Sequence, residues 1–324
     1  RKESMEQIVA CKSLVATFKD EKMMLDGPHE VNFDIKKGKN FHISIEQLGI
    51  RKITVTSDED VSVFDLDALF LSIERLLMLL DGTFIPLSKI QLSESDMENE
   101  DILHSYEKQL IERRLSYFSS ADFCNYSYDK MIGFDSVITA DLFYRWEKLL
   151  DELDVVHQMY LYSVSNSGIT VDVKCAFLVE LAEPLIEIIK EHTNLFPSLF
   201  PGERGTTLRN CLEALIDKFG TDIFENELSN NYDEFLSTMV NSRVRIMHIK
   251  RKQKGIHFTG NESILYSSKI SLLYRKILFE LLGINENYYK NNLKKCVTEL
   301  NIWNNVLNDF LIKLSKVASE KGHN

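Results

Sequence analysis

Polar and apolar positions alternate with period two over Val31–Ile35 and again over Phe41–Ile45, and the Lys36 to Asn40 link between them has the charge and the glycine of a hairpin turn. Lys52–Thr56 reads as a third strand. The period then changes. Leu66, Leu69, Phe70, Ile73, Leu76, Leu77 and Leu80 recur at spacings of three and four, which predicts a core-facing helix stopped by Asp81-Gly82. The Met23-Met24 pair joins that stripe as expected core. Between Leu92 and Phe134 the signal weakens: the acidic stretch Ser93–Asp101 reads as an exposed loop, and the aromatic-rich stretch Tyr117–Tyr128 as irregular structure or short strands.

Beyond about residue 130 the periodicity is helical throughout. Helices are predicted over Ala140–Val164, Val171–Glu191, Thr206–Phe219, Tyr232–Lys250, Glu262–Leu282 and Tyr289–Lys316, with Gly, Pro or Asn clusters between them. Pro184 should kink the second or break it. The expected fold is α+β, mainly α: a small strand-containing domain over 1–130, then an antiparallel helical bundle with a C-terminal helix over 131–324.

With 44% hydrophobic residues in 324, the chain can bury a real core, and disordered, collagenous and disulfide-rich classes are excluded. The net charge of −11 opposes a protein that coats nucleic acid or anionic membrane over its whole surface. The charge is divided unevenly. Residues 1–200 hold 20 Lys+Arg against 35 Asp+Glu, and residues 201–324 hold 18 against 14, so a polyanion partner is expected at the back of the chain, beyond the Phe200-Pro201-Gly202 punctuation. The five cysteines are scattered, without metal-ligand spacing, and suit reduced thiols in a cytoplasmic protein. No apolar run is long enough to span a membrane, and Arg1–Ala10 has no signal-peptide core. The chain starts at Arg1 rather than Met, as a piece of something longer, or one lacking a disordered start, would.

Phosphate loops, nucleophile elbows and zinc-protease motifs are absent from the sequence. One segment carries chemistry. From Arg243 to Lys254 there are six Lys+Arg and no acid: Arg243, Arg245, Lys250, Arg251, Lys252 and Lys254, with His248 among them and Asn241 just before. Such a run is a candidate phosphate-contacting surface, although a basic helix end also complements its own dipole, and a His there also caps carbonyls. On a straight helix Arg243 and His248 stand roughly 140° apart around the axis and about 7.5 Å apart along it. To act on one phosphate they need the helix to end or loosen near His248, or a second protomer to supply the matching pair.

An Arg followed at four to six positions by His, at the end of a helix in a bundle, resembles the signature of HEPN-domain proteins, many of them endoribonucleases. The strand-rich front, Leu161–Ser165 at the end of a helix, Phe177–Glu183 and then the Arg/His helix resemble in particular the Apea-like HEPN group. The resemblance implies RNA cleavage without metal or cofactor, by 2′-hydroxyl attack, with Arg243 and His248 catalytic. Arg245, Asn241 and Glu183 would support them, and Lys250, Arg251, Lys252 and Lys254 would hold the RNA backbone. It further implies a homodimer with a composite site, a role in antiphage defence by abortive infection, and a front domain that senses a trigger or binds a regulatory partner. The family usually has a polar residue, often Asn, directly after the Arg, where this chain has Val244. That departure favours an alternative, a catalytically inactive HEPN-fold protein that binds RNA or a protein partner.

Overall fold

The computed structural model describes residues 10–18, 29–82, 86–93, 100–117, 130–165, 168–192, 207–250, 252, 254–302 and 304–321. Met23-Met24, the stretch from residue 118 to Tyr128, Phe200-Pro201-Gly202 and Arg251 lie outside them, as do residues 94–99 of the acidic stretch. The chain forms two compact units, Arg1–Glu147 and Lys148–Asn324.

The first unit is built on a five-stranded antiparallel sheet of β1 (Ala10–Phe18), β2 (His29–Lys37), β3 (Lys39–Leu48), β4 (Ile50–Ser62) and β5 (Leu87–Ser93), in the order β2-β3-β4-β1-β5. Gly38, at φ 73°, makes the tight β2–β3 turn that the sequence signals. Helix α1 (Val63–Asp81) follows, its Ser62 Oγ accepting from the Phe64 N–H. Gly82, at φ 73°, closes α1 by donating to the Met78 carbonyl. The predicted stripe from Leu66 to Leu80 is buried, as are Leu14, Ala16, Ile43, Ile45, Ile53 and Val55 of the sheet. A buried pair, Arg51 Nη1 to Asp81 Oδ2 at 2.5 Å, ties β4 to the end of α1.

Strands β1 and β5 go unpredicted because bulges break their alternation: the pairing register shifts between Cys11 and Ser13, and again between Thr17 and Phe18 where β1 meets β5. Helix α2 (Glu100–Tyr117) also escapes prediction. Its first turns bury Leu103 and Leu110, seven apart, amid charged residues, so its apolar stripe is narrow. Glu107 on α2 accepts from the Leu92 N–H of β5 at 2.7 Å, which occupies part of that strand's open edge.

The helices that follow are α3 (Ala140–Leu153, within which the two units divide), α4 (Val155–Val164), α5 (Val171–Glu180), α6 (Ala182–Glu191), α7 (Leu208–Leu215), α8 (Glu225–Met247), α9 (Asn261–Leu281), α10 (Lys290–Ile302) and α11 (Asn304–Lys321). Three of the long predicted helices, Ala140–Val164, Val171–Glu191 and Tyr289–Lys316, are each divided in two. Asp154, at φ 40°, separates α3 from α4. Pro184 has no N–H, and its ring collides with the carbonyl four residues back, so α5 ends at Glu180. Helix α8 bends at Asn231 (φ −157°, ψ 85°), whose Oδ1 accepts from the Glu234 N–H and whose Nδ2 donates to the Leu314 carbonyl of α11. The predicted start at Tyr232 is where α8 resumes.

The core between α8, α9 and α11 combines aromatic packing with a buried ion pair. Phe258 stacks on Tyr266 at 4.2 Å between centroids, Phe310 meets both rings, and Phe235 closes the cluster. Beside it Lys269 Nζ, fully buried, lies 2.6 Å from Glu227 Oε1, which also accepts from the Tyr266 hydroxyl at 3.0 Å. Burial pulls the Lys269 pKa down, and Glu227 opposes that pull.

Cys11, Cys175, Cys211 and Cys296 are buried free thiols. Burial raises the Cys175 thiol from 9.0 to about 12, a shift that the hydrogen bond with Ser267 opposes and the charge of Asp172 adds to. A pKa raised by folding makes a contribution to stability that is complete below pH 9 and is withdrawn as pH climbs toward about 12. Alkylation of the native protein at pH 8 should therefore leave these four unlabelled, and denaturant should expose all four. Rapid native labelling of Cys175, read by mass spectrometry of its peptide, would contradict the packing.

Candidate functional site

Helix α8 ends where the Arg/His pair needs it to. Its last regular bond runs from the His248 N–H to the Val244 carbonyl at 3.2 Å, and His248 itself has φ −102° and ψ 9°, outside helical values. The side chains separated by 140° on a straight helix now meet, with Arg243 Nη1 3.3 Å from His248 Nε2. Arginine only donates, so in this contact Nε2 can only accept. His248 is exposed and Arg243 half-buried.

The orientation of Arg243 comes from a residue that the sequence reading passes over. Glu180, the last residue of α5, takes the guanidinium edge formed by Nε and Nη2: Nη2 donates to Oε1 at 2.8 Å, and Nε donates to Oε2. That bond raises the Arg243 pKa above its ordinary range; burial opposes it, and the charges of Glu180 and Glu183 add to it. A guanidinium has a second parallel pair of donors, on Nη1 and Nη2. With Glu180 on the first edge, this second edge lies on the Nη1 side, beside His248. A phosphate held there would have the imidazole next to it.

The supporting residues divide into three roles. Glu183, in the first turn of α6, acts on Arg243 through its charge, three positions from the carboxylate that binds it. Arg245 turns toward the opposite end of α5, its Nη1 3.7 Å from Asp172 Oδ2. Asp172 Oδ1 in turn accepts from the Gly260 N–H at 3.0 Å and the Ser263 hydroxyl at 2.6 Å, at the start of α9. Asn241 Nδ2 donates to the Ile256 carbonyl at 3.1 Å and so holds the chain that follows α8. Lys250, Lys252 and Lys254 are exposed.

Pro184 is the sequence signal that could have found Glu180, because it fixes which residue ends α5. For Asp172 the signal is weaker: an acid in the first turn after Thr170, which the helix dipole alone would favour. His192 bonds Glu152 at 2.6 Å, and His257 lies against the Gly255 carbonyl at 3.3 Å. Among the described residues no group of His, Cys, Asp and Glu could hold a metal ion, and no helix is long and apolar enough to cross a membrane.

Residues 179–288 match the family model described as Apea-like HEPN. No curated protein and no solved structure matches the chain. The matched segment runs from the end of α5 through α9 and so contains Glu180, Glu183, Arg243 and His248.

Proposed function

From a segment, residues 179–288, that belongs to the Apea-like HEPN family, we propose that this protein is an endoribonuclease whose reacting groups are Arg243 and His248. The observation that carries the reading is the Arg243–His248 contact at 3.3 Å, with Glu180 fixing the guanidinium from behind. His248 Nε2, freed when the bound phosphate takes over the Arg243 Nη1 donor, would take the proton of an RNA 2′-hydroxyl. The 2′ oxygen attacks the adjacent phosphorus and the bond to the 5′ oxygen breaks, leaving a 2′,3′-cyclic phosphate and a 5′-hydroxyl. Arg243 meets the charge that builds on the non-bridging oxygens with its second donor edge.

The leaving 5′ oxygen needs a proton in turn. A second copy, related by a two-fold axis through the site, would supply it from its own His248. Met247 and Ile249, which flank His248, are 39% and 88% exposed, and their apolar side chains suit such an interface. The first unit would then sense a trigger or restrain the nuclease, in the antiphage setting that the family resemblance implies.

Purified protein incubated with labelled RNA in EDTA tests this reading. Cleavage to cyclic-phosphate ends is expected, with DNA of the same sequence intact. Val244 favours a second reading, an RNA- or partner-binding protein without cleavage. In the same assay that protein would retain RNA and leave it whole.

A further inference from the structure

Beyond His248 the chain reverses at once. Ile249 adopts φ 49° and closes α8, its N–H donating to the Ile246 carbonyl at 3.1 Å while the Lys250 N–H donates to the Arg245 carbonyl at 3.0 Å. Glycine is the usual residue at such a reversal, and a β-branched side chain there is strained. The bonds around it hold the turn in place.

The returning chain is hooked to α8 twice. Asn241 Nδ2 donates to the Ile256 carbonyl at 3.1 Å, and the Phe258 N–H donates to Ser242 Oγ at 2.8 Å, whose own proton goes to the Thr238 carbonyl at 2.7 Å. Phe258 is then locked into the aromatic core on Tyr266. A chain that left the helix at residue 248 is thus back beside residues 241 and 242, roughly 10 Å up the axis.

Gly255 makes the first hook possible in two ways. It holds φ 84°, which side chains rarely adopt, and a Cβ built on it would stand 2.8 Å from Asn241 Nδ2, closer than real Cβ atoms come. The consequence concerns charge. Lys250, Lys252 and Lys254, all exposed, are carried on a loop fastened at both ends along the turns of α8 that bear Arg243 and His248. Ends set during folding spare the bound strand part of the cost of placing these lysines.

Resting on the ribonuclease reading above, we infer that the loop after His248 is an arm that grips the RNA strand flanking the scissile phosphate, and that Asn241 and Gly255 are the positioning residues that set it. They act through the loop's lysines and do not touch the reacting atoms. The bound strand is single, because in-line attack by the 2′ oxygen needs an unstacked nucleotide.

The test compares Gly255→Ala, Asn241→Ala and the double variant with wild type in two measurements. One is KM and kcat for an RNA oligonucleotide; the other is the salt dependence of affinity for the same sequence with every 2′-hydroxyl methylated. Each single variant should raise KM about tenfold with kcat within about twofold, and the salt slope should fall by about 1.4, from Lys252 and Lys254 at roughly 0.7 each, since Lys250 stays bonded to the end of α8. The double variant should be no more than about threefold worse than Asn241→Ala, because both changes release the same hook. Unchanged KM and salt slope in the variants would overturn the arm, as would a fall in kcat at constant KM. Should Gly255→Ala fail to fold by circular dichroism, Asn241→Ala carries the same expectations. A wild type that neither binds nor cleaves RNA would instead remove the ribonuclease reading. Cleavage intact in a wild type whose variants match it would remove the arm alone.

Discussion

His248→Ala and Arg243→Ala are each expected to slow RNA cleavage by about 10²–10⁴-fold with little change in thermal stability. The lower end is what removal of a positioned base or of one donor to a charged transition state typically costs. His248 is exposed at the end of α8, so its removal leaves no cavity. Arg243 differs in one respect: its loss frees Glu180, half-buried at the end of α5, which water can still reach. The double variant should be little slower than the worse single one, since each group is idle without the other. Glu180→Gln keeps one acceptor for the guanidinium and loses the charge; it should fall between wild type and Arg243→Ala. Initial rates on one RNA at several concentrations, beside melting curves, decide all four variants. Equal cleavage by wild type and the double variant would move the active site elsewhere.

Glu227→Ala is expected to cost about 3–5 kcal/mol of stability, because it leaves Lys269 buried and charged without a partner. Typical domains have about 5–15 kcal/mol in total, so this single change brings the second unit close to unfolding. The Tyr266 hydroxyl loses its acceptor in the same step, and Tyr266 is the ring on which Phe258 stacks. Replacing both charges together, Glu227→Leu with Lys269→Met, removes the desolvation cost as well as the attraction and should come within about 2 kcal/mol of wild type. Urea unfolding followed by tryptophan fluorescence and by circular dichroism gives both numbers. A loss under about 1 kcal/mol for Glu227→Ala would mean that water or another acidic group reaches Lys269.

Local rules carried much of this molecule. The period-two runs around Gly38 gave β2 and β3, and the stripe from Leu66 to Leu80 gave α1. The helical periodicity located α8 from its bend onward, and the six-residue span from Arg243 placed His248 near a helix end. What escaped depends on partners distant in sequence. The register shifts between β1 and its neighbours β4 and β5 answer to that pairing, and they interrupt the alternation that would have marked β1 and β5. Glu180 lies 63 positions before Arg243, and only the packing of α5 against α8 joins them. The divisions at Asp154 and Leu181 and the bend at Asn231 fall within continuous apolar patterns, where tertiary contacts such as that between Asn231 and Leu314 set the backbone. Glu183, chosen from sequence, stands one turn beyond Glu180, the carboxylate that binds Arg243, and reaches the guanidinium through its charge.

End-group analysis of the products shows whether Arg243 and His248 cleave RNA through its own 2′-hydroxyl. Wild-type protein in EDTA should leave a 2′,3′-cyclic phosphate and a 5′-hydroxyl at every cut, and a single 2′-deoxy substitution at a mapped cut should abolish that cut alone. Cleavage that persists at the deoxy position, or that leaves a 5′-phosphate, would contradict the account.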